Sequence, residues 1–429
     1  MNLLITGARI IDPAHKRDGN FDLLIKNGKI AKIEKVIEPE KTLSVLSVKG
    51  QWLMPGFVDA HVHLREPGNE ISETIQTGTR AAAAGGITSI LSMANTQPVM
   101  DSPKQMQWTQ DRIQKTAEVR VYPVSAVTKG LQGQTLVDFS AMVKAGAQAF
   151  SDDGRCIMNS QLLRQALEQC KKLGKVLIEH CEDENISQDG VMHEGDVCSQ
   201  MGYHGIPAIS EILMVARDIV LAHETKAQLH CAHISTEGSV DLIRAAKKNG
   251  TPITAEVCPH YFTLMDEAVK QYGTRAKMKP PLRGKKDLEA LKKGLADGTI
   301  DIIATDHAPH HAASKSKPFS QAPFGITGLE TSFALVYSEL IQKKILTPLE
   351  AVQKMTLNPA KIFGLPGGQL SIGSPADLAF FDPQKEWVYQ ADNVISKSAN
   401  SPFLGRKFKG KIVMTMLQGK VIYPKENIE

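Results

Sequence analysis

The stretch Gly56-Phe-Val-Asp-Ala-His61-Val-His63 decides the fold, because an apolar run leads directly into two metal-ligand-type side chains. Such a run is typical of a strand that is covered on both faces. Alternate side chains of a strand point to the same side, so both imidazoles can face one ion. Taken alone, however, the pair is equally well explained as two unrelated histidines near a strand end.

This stretch is the first of eight apolar, β-branched runs, and helical stretches such as 160–173, 209–222 and 285–296 lie between the runs. Alternation of this kind predicts an α/β fold with a parallel sheet covered by helices. Eight units favour a closed (β/α)₈ barrel of the TIM type, with a doubly wound open sheet as the alternative. The runs begin at Gly56, Ile87, Val119, Ala147, Val176, Gln228, Ile253 and Ile302.

Both ends of the chain have a different pattern, of short apolar runs separated by turns that contain Gly, Asp or Asn. Runs of this type predict β-strands. We therefore predict a small composite β-sandwich domain that is formed by both termini, with the barrel inserted between its halves. The predicted boundaries are 1–54 for the N-terminal part of this domain, 55–364 for the barrel and 365–429 for the C-terminal part.

Polar residues of metal-ligand type follow several of the eight strands. The carboxyl ends of barrel strands open on one face, so these residues can meet in one pocket. Four histidines and two aspartates exceed what one tetrahedral ion needs, which predicts two ions with Asp153 as the bridge. The alternative for Asp153 is a turn or helix-capping residue. The proposed ligands are His61, His63, Asp153, His180, His233 and Asp306.

Composition limits the classes of partner that we expect and indicates the cellular compartment. The net charge is +4, from 50 basic and 46 acidic residues without a long basic run, so we expect no nucleic-acid partner. No apolar run approaches the roughly 18 residues that span a bilayer, and the first residues lack the features of a signal peptide. The six cysteines include no C-x-x-C pair. These features predict a cytoplasmic protein that does not bind membranes.

Two longer motifs resemble those of a known family. Asp59-Ala-His61-Val-His63-Leu-Arg65-Glu-Pro-Gly and Ala304-Thr-Asp306-His-Ala-Pro-His310 are similar to the signatures of the bacterial long-chain dihydroorotases, a branch of the amidohydrolase superfamily. The resemblance implies that His61, His63 and Asp306 hold one zinc ion. It also implies a second site at His180 and His233, bridged by Asp153, so that each subunit binds one or two Zn²⁺.

The activity implied by the resemblance is the reversible closure of N-carbamoyl-L-aspartate to L-dihydroorotate, in the biosynthesis of UMP. The hypothesis for the reverse, hydrolytic direction is attack of a metal-bound hydroxide on the ring carbonyl, with Asp306 as general base and acid. Arg65 lies two residues after His63, which suits it to hold the substrate carboxylate. The alternative for Arg65 is a surface ion pair. The resemblance adds Asn95, His310, Pro323, Phe324 and Gly325 to the substrate-binding residues.

One residue departs from the family pattern, and one stretch near it has loop composition. Lys279 stands before Pro-Pro-Leu-Arg283, where many relatives have asparagine, and it either contacts the substrate or points into solvent. The polar stretch from His311 to Gln321 is typical of a mobile loop.

Three other functions are considered beside dihydroorotase activity, and two protein partners are expected. The nearest rival is a hydantoinase or allantoinase, although these relatives use a lysine at the fourth strand and 149–154 contains none. A second rival is a catalytically silent subunit that binds aspartate transcarbamoylase, and a third is a metal-binding protein without activity. We expect a homodimer, and association with aspartate transcarbamoylase is a further possibility to test.

Overall fold

The computed structural model describes residues 2–39 and 43–424. Within these residues the strands are β1 (Leu3–Asp12), β2 (Arg17–Lys26), β3 (Lys29–Glu34), β4 (Ser44–Ser47), β5 (Trp52–Pro55), β6 (Phe57–Val62), β7 (Ile87–Ser92), β8 (Arg120–Ser125), β9 (Ala149–Phe150), β10 (Leu177–Glu179), β11 (Met192–His193), β12 (Gly205–Ile206), β13 (Leu229–Cys231), β14 (Ile253–Val257), β15 (Ile302–Ile303), β16 (Leu378–Val388), β17 (Lys407–Leu417) and β18 (Lys420–Tyr423).

The α-helices lie mostly between the strands of the middle region. They are α1 (Ile75–Ala84), α2 (Pro103–Thr116), α3 (Phe139–Lys144), α4 (Ser160–Leu173), α5 (Glu184–Ser187), α6 (Asp196–Met201), α7 (Ala208–Thr225), α8 (Glu237–Lys248), α9 (Ala268–Tyr272), α10 (Lys285–Ala296), α11 (Ala312–Lys315), α12 (Ser332–Val336), α13 (Pro348–Met355) and α14 (Leu357–Ile362). In the part of the chain that the structure covers, no helix combines the length and the apolar character needed to cross a bilayer.

The middle strands form the predicted parallel barrel. The order is β6-β7-β8-β9-β10-β13-β14-β15, and each of the eight predicted runs contains one of these strands. The first and last strands meet where Val62 pairs with His307, and the backbone N–H of His63 donates to the carbonyl oxygen of His307 at 2.9 Å. This contact closes the ring, so the prediction of a barrel rather than an open sheet is confirmed.

The local sequence sets the ends of the helices around the barrel. The Asn159 side chain accepts hydrogen bonds from the first turn of α4, and Gly174 ends that helix with a φ of 62°. A capping side chain satisfies amide groups that have no partner in the helix, and glycine adopts the left-handed conformation at little cost. The helix that the sequence predicts over 160–173 therefore begins and ends where expected.

Apolar side chains fill the barrel interior and close one of its ends. Residues of the barrel strands, such as Val58 and Ile178, cluster with Ala360, Phe363 and Leu365. Gln148, which precedes β9, donates from its side chain to the Phe363 carbonyl oxygen at 2.6 Å. This contact places the 360–365 segment at the amino end of the strands, so this segment covers the barrel interior there.

The strands at the two ends of the chain belong to one mixed sheet. Its order is β18-β17-β16-β5-β1-β2-β3, with β4 paired to β1. Strand β5 pairs with β1 on one side and with β16 on the other, so the two termini are joined next to the point where the barrel begins. The predicted composite domain is present, and its exact division at 54/55 and 364/365 stays a prediction.

Candidate metal centre and active site

His61 and His63 lie at the carboxyl end of β6 with their Nε2 atoms turned toward two carboxylates. The Nδ1 atom of His61 lies 2.7 Å from Glu256 Oε1, and that of His63 lies 2.9 Å from Asn95 Oδ1. Both partners are oxygen acceptors, so each Nδ1 carries the proton and donates. Each Nε2 therefore presents a lone pair, the arrangement that metal-binding histidines have in proteins.

The carboxylate that faces these two rings from the last barrel strand is Asp306. Its Oδ1 atom lies 3.1 Å from His63 Nε2 and 3.6 Å from His61 Nε2. Burial by itself raises the pKa of Asp306, but its interactions with His61 and His63 outweigh burial and lower it. The carboxyl group is therefore ionised near neutral pH and can act as a ligand or a proton acceptor.

Asp153 connects this group to a second pair of histidines. Its Oδ1 atom is 3.4 Å from His61 Nε2, 3.4 Å from His180 Nδ1 and 3.3 Å from His233 Nε2. Its other oxygen lies 3.4 Å from His63 Nε2. One buried carboxylate thus faces all four imidazoles, which is the position that a bridging ligand requires. The turn or capping role considered for Asp153 does not account for this placement.

The donor set fits divalent metal ions. His61, His63 and Asp306 form one group whose ligand atoms lie within 4.8 Å of one another, and His61, Asp153 and His233 form another. His61 Nε2 and His233 Nδ1 are buried without a hydrogen-bond partner. A buried polar atom without a partner is costly, and a metal ion would satisfy it. Imidazole nitrogens with carboxylate oxygens are typical zinc ligands.

The backbone holds parts of this centre in uncommon conformations. The φ angles of Arg65, His233 and Asp306 are 59°, 34° and 46°, all in the left-handed region. Residues other than glycine adopt this region at an energetic cost, and they persist there when the surrounding structure holds them. The three side chains project from turns directly after barrel strands, where such a conformation directs them into the cavity.

A cavity of about 380 Å³ opens above the centre. Its lining includes every residue that we predicted to bind substrate, together with most of the proposed ligands. The lining residues are His63, Arg65, Asn95, Asp153, Gly154, His180, His233, Lys279, Asp306, Ala308, His310, Pro323, Phe324 and Gly325. Buried His61 lies beneath this surface. The sequence-predicted residues therefore converge on one site.

Arg65 and His310 line one side of the cavity, and Arg65 supplies its positive charge. Arg65 Nε donates to the Pro309 carbonyl oxygen at 3.2 Å. Burial lowers the pKa of Arg65 to about 10, so the guanidinium stays charged near neutral pH. Burial and the neighbouring Arg65 lower the pKa of His310 to about 3, and its Nε2 donates to the Phe324 carbonyl oxygen at 2.7 Å. His310 is thus neutral, and its N–H is engaged.

Gly325 and Phe324 line the cavity next to His310. Its φ is 126°, and a Cβ atom at this position would lie 2.7 Å from the Cβ atom of Ala308. Only glycine permits this close approach of the two walls.

Lys279 faces the cavity rather than bulk solvent. Its Nζ atom lies 2.8 Å from Glu182 Oε1, and Glu182 Oε2 lies 3.3 Å from His180 Nε2. Burial would raise the pKa of Glu182, but His180 and Lys279 lower it to about 2. The lysine that replaces the asparagine of many relatives is therefore held by a carboxylate that also contacts a proposed ligand.

The 311–321 stretch is tied to neighbouring segments by two buried lysines. Lys315 is buried, and its ammonium group donates to the carbonyl oxygens of Pro323 at 2.9 Å and Gly325 at 3.0 Å. The Lys277 ammonium group likewise donates to the Phe319 carbonyl oxygen at 2.6 Å. The expectation of a mobile loop stays a prediction, but distant carbonyl groups provide Lys315 with partners that the local sequence does not show.

Sequence reasoning missed Glu256 as part of the centre. Glu256 is fully buried on β14, where it contacts His61 Nδ1 at 2.7 Å and His230 Nε2 at 3.2 Å. The sequence does indicate such a role, because the apolar run Ile253-Thr-Ala-Glu256-Val contains a glutamate. Acidic residues are almost never buried without a partner, so a partner for Glu256 could have been expected. Its contact with His61 gives it the orienting role that carboxylates have beside metal-binding histidines.

Comparisons with known proteins agree with this geometry. A dihydro-orotase-like family model matches residues 50–239, and an amidohydrolase family model matches 188–423. The chain is 48% identical to the dihydroorotase of Syntrophus aciditrophicus over 99% of its length and 100% of that protein. It is 49% identical to the dihydroorotase of Pelotomaculum thermopropionicum, with 98% of both chains covered.

A solved structure extends the agreement to the whole fold. The L-hydantoinase (dihydropyrimidinase) of Arthrobacter aurescens superposes with a TM-score of 0.89 at 25% identity, over 98% of this chain and 95% of that one. The barrel and the composite sheet are thus shared with cyclic amide hydrolases. Full-length identity near one half and two matching family models together assign this chain to the dihydroorotase family of the amidohydrolases, and it is a cyclic amide hydrolase.

Proposed function

We propose that this chain interconverts N-carbamoyl-L-aspartate and L-dihydroorotate at a zinc centre, as a step of pyrimidine biosynthesis. The observation that carries the proposal is the placement of two buried aspartates and four imidazoles at a cavity that a charged arginine also lines. One side of the site is suited to activating an amide carbonyl. The other side is suited to an organic carboxylate.

His61, His63 and Asp306 would hold one ion, and His180 and His233 would hold a second, with Asp153 shared between them. Bound divalent ions would supply Lewis acidity, which polarises a carbonyl oxygen and lowers the pKa of water. The buried histidine atoms without partners support this assignment.

Arg65 is the proposed anchor for the substrate carboxylate. Its guanidinium is charged, lines the cavity and has donors beyond the Nε–H that contacts Pro309. A guanidinium can bind a carboxylate through two parallel hydrogen bonds. Asn95 and His310 are further candidates, and each also has a contact within the protein. Asn95 accepts from His63, and His310 would exchange its bond to Phe324 for one to the substrate.

Asp306 is the proposed proton carrier. In the hydrolytic direction water adds to the ring carbonyl carbon, the ring C–N bond breaks, and the departing nitrogen gains a proton. Asp306 would accept the proton of water at its carboxylate and donate it to that nitrogen. Ring closure runs these steps in reverse and releases water. Asp306 is ionised near neutral pH, as a group must be before it accepts a proton, and it lines the cavity.

The test is an assay of the purified chain, with zinc measured by elemental analysis, on three substrate pairs. We expect interconversion of N-carbamoyl-L-aspartate and L-dihydroorotate, loss of activity after treatment with a chelator, and recovery after Zn²⁺ is returned. Faster turnover of hydantoin or allantoin would favour the sister enzymes instead. A zinc-loaded chain that turns over none of the three would support the silent-subunit alternative. The homodimer and the association with aspartate transcarbamoylase stay predictions.

A further inference from the structure

A short segment of the C-terminal part of the chain reaches the active-site loops of the barrel. It is residues 396–400, between β16 and β17. Ser396, Ser398 and Asn400 are all buried, with exposed fractions of 6%, 4% and 5%. Polar side chains buried to this degree need hydrogen-bond partners. The partners of this segment lie on the barrel, which makes it a structural link between the terminal domain and the cavity.

The Asn400 side chain bridges the two walls of the cavity. Its Nδ2 atom donates to the carbonyl oxygens of Ala308 at 3.1 Å and Gly325 at 3.0 Å, and its Oδ1 atom accepts from the His310 backbone N–H at 3.0 Å. A carboxamide has two N–H donors, so both are used. The Asn400 backbone carbonyl also accepts from the Thr327 N–H at 3.1 Å.

These contacts fix the spacing between parts of the wall that are distant in sequence. Ala308 and His310 follow β15, whereas Gly325 belongs to the next loop, and all three line the cavity. The walls approach so closely at Gly325 that no Cβ atom fits between them. A change of Asn400 would therefore remove hydrogen bonds to both walls, although Asn400 itself is not among the cavity-lining residues.

The remainder of the segment is fastened to the loop after Arg65. Ser398 Oγ donates to the Ser72 carbonyl oxygen at 2.6 Å, and the backbone N–H of Lys397 donates to Glu73 Oε1 at 3.2 Å. Glu73 Oε2 in turn lies 3.2 Å from His307 Nε2. The segment thus contacts the loops on both sides of the proposed carboxylate anchor, which keeps Asn400 in place.

We propose that Asn400 is a positioning residue for substrate binding, acting through the His310 and Gly325 walls rather than by touching the substrate. The inference rests on the proposed function, because the walls it sets are those that would receive the substrate carboxylate. It assigns the terminal domain a part in the active site. Among the described residues, Asn400 makes no hydrogen bond to the proposed metal ligands or to Arg65.

The test compares Asn400→Asp and Asn400→Ser with the matched control Asn358→Asp in the zinc-loaded, full-length chain. Aspartate keeps the shape but turns carboxylate oxygens toward two carbonyl groups, and serine is too short to bridge the walls. Asn358 Nδ2 also donates to a backbone carbonyl, that of Asp301 at 2.8 Å, but at the closed end of the barrel. The control therefore reports the general cost of an Asn→Asp change at a backbone contact.

The measurements are KM and kcat for ring closure of N-carbamoyl-L-aspartate, zinc per chain and Tm. We expect both Asn400 variants to raise KM by about tenfold or more with zinc content unchanged, because a buried carbonyl loses its partner and the wall shifts. Asn358→Asp should leave KM unchanged. A purely structural role would lower Tm and the active fraction, and hence the apparent kcat, without moving KM.

An unchanged KM in both Asn400 variants of an active enzyme would overturn this inference and leave the proposed function standing. An equal rise of KM in Asn358→Asp would overturn it as well, because the effect would not be specific to the walls. A wild-type chain that does not interconvert the two compounds would overturn the proposed function and this inference with it. The two failures are therefore distinguishable.

Discussion

Two cavities of similar volume lie at opposite ends of the barrel. The one at the carboxyl ends of the strands has about 380 Å³, and the one at the amino ends has about 350 Å³. Both are lined by acidic and basic side chains. Volume and charge alone would therefore not show which one carries out chemistry.

The difference lies in how the polar atoms are satisfied. At the amino end, Lys354 Nζ donates to the Ile300 carbonyl oxygen at 2.6 Å, and Asp301 accepts from Lys247 and from the backbone of Ala255. At the carboxyl end, His61 Nε2 and His233 Nδ1 are buried without a partner. A buried polar atom without a partner is costly, and a ligand that completes it offsets the cost. The two imidazole atoms, which stand beside carboxylates at a cavity, therefore distinguish the carboxyl end.

The largest effect is expected from Asp306→Asn at the carboxyl end. The amide can no longer accept and return a proton, so we expect turnover to fall by about a thousandfold or more. The measurement is kcat for the hydrolysis of L-dihydroorotate, with circular dichroism as the control for folding and elemental analysis for zinc. Retained turnover in a folded variant would remove Asp306 from the proton-transfer role.

A smaller effect is expected from Arg65→Met, which preserves much of the side-chain length and removes the charge. We expect KM for N-carbamoyl-L-aspartate to rise by about 100-fold, because a desolvated carboxylate loses its charged partner. Zinc content should not change, since none of the proposed ligands is altered. If KM stayed at the wild-type value, the carboxylate would have to be bound elsewhere in the cavity.

The smallest effect on activity is expected from Lys354→Met at the amino end, where kcat/KM should change by less than about twofold. Its effect should appear in stability instead. Burial lowers the pKa of Lys354 to about 8 from its ordinary 10.5, so between these pH values the unfolded chain binds more protons than the folded one. The contribution of Lys354 to the free energy of unfolding therefore rises with pH across this window.

Denaturant unfolding of both chains at several pH values from 8 to 10.5 measures this contribution. The wild type should gain stability relative to Lys354→Met as the pH rises. Parallel pH profiles for the two chains would contradict the assignment. A large loss of turnover in Lys354→Met would contradict the contrast between the two ends.

Much of the fold and the position of the proposed ligands was predictable because it depends on short-range rules. The period of the strand places His61 and His63 on one side, and the carboxyl ends of barrel strands always open on one face. The proposed ligands at distant positions, such as His180 and Asp306, followed from that single rule. Helix α4 was equally predictable, because Asn159 and Gly174 set its ends locally.

Other parts of the site were not predictable, because they depend on contacts between distant segments. The Lys279 side chain is long and flexible, and only the nearby Glu182 decides that it faces the cavity. Lys315 is buried because carbonyl groups of 323–325 surround its ammonium group. Glu256 meets His61 across 195 positions of sequence.

The sequence by itself thus determined which residue types stand at the open end of the barrel, since strand period and order are encoded locally. Only the tertiary structure decided which hydrogen-bond partners fix these residues and how far apart the cavity walls lie. The reason is physical: barrel closure and the packing of the terminal domain fix hydrogen bonds such as those of Asn400 to Ala308 and Gly325, and no local pattern records them.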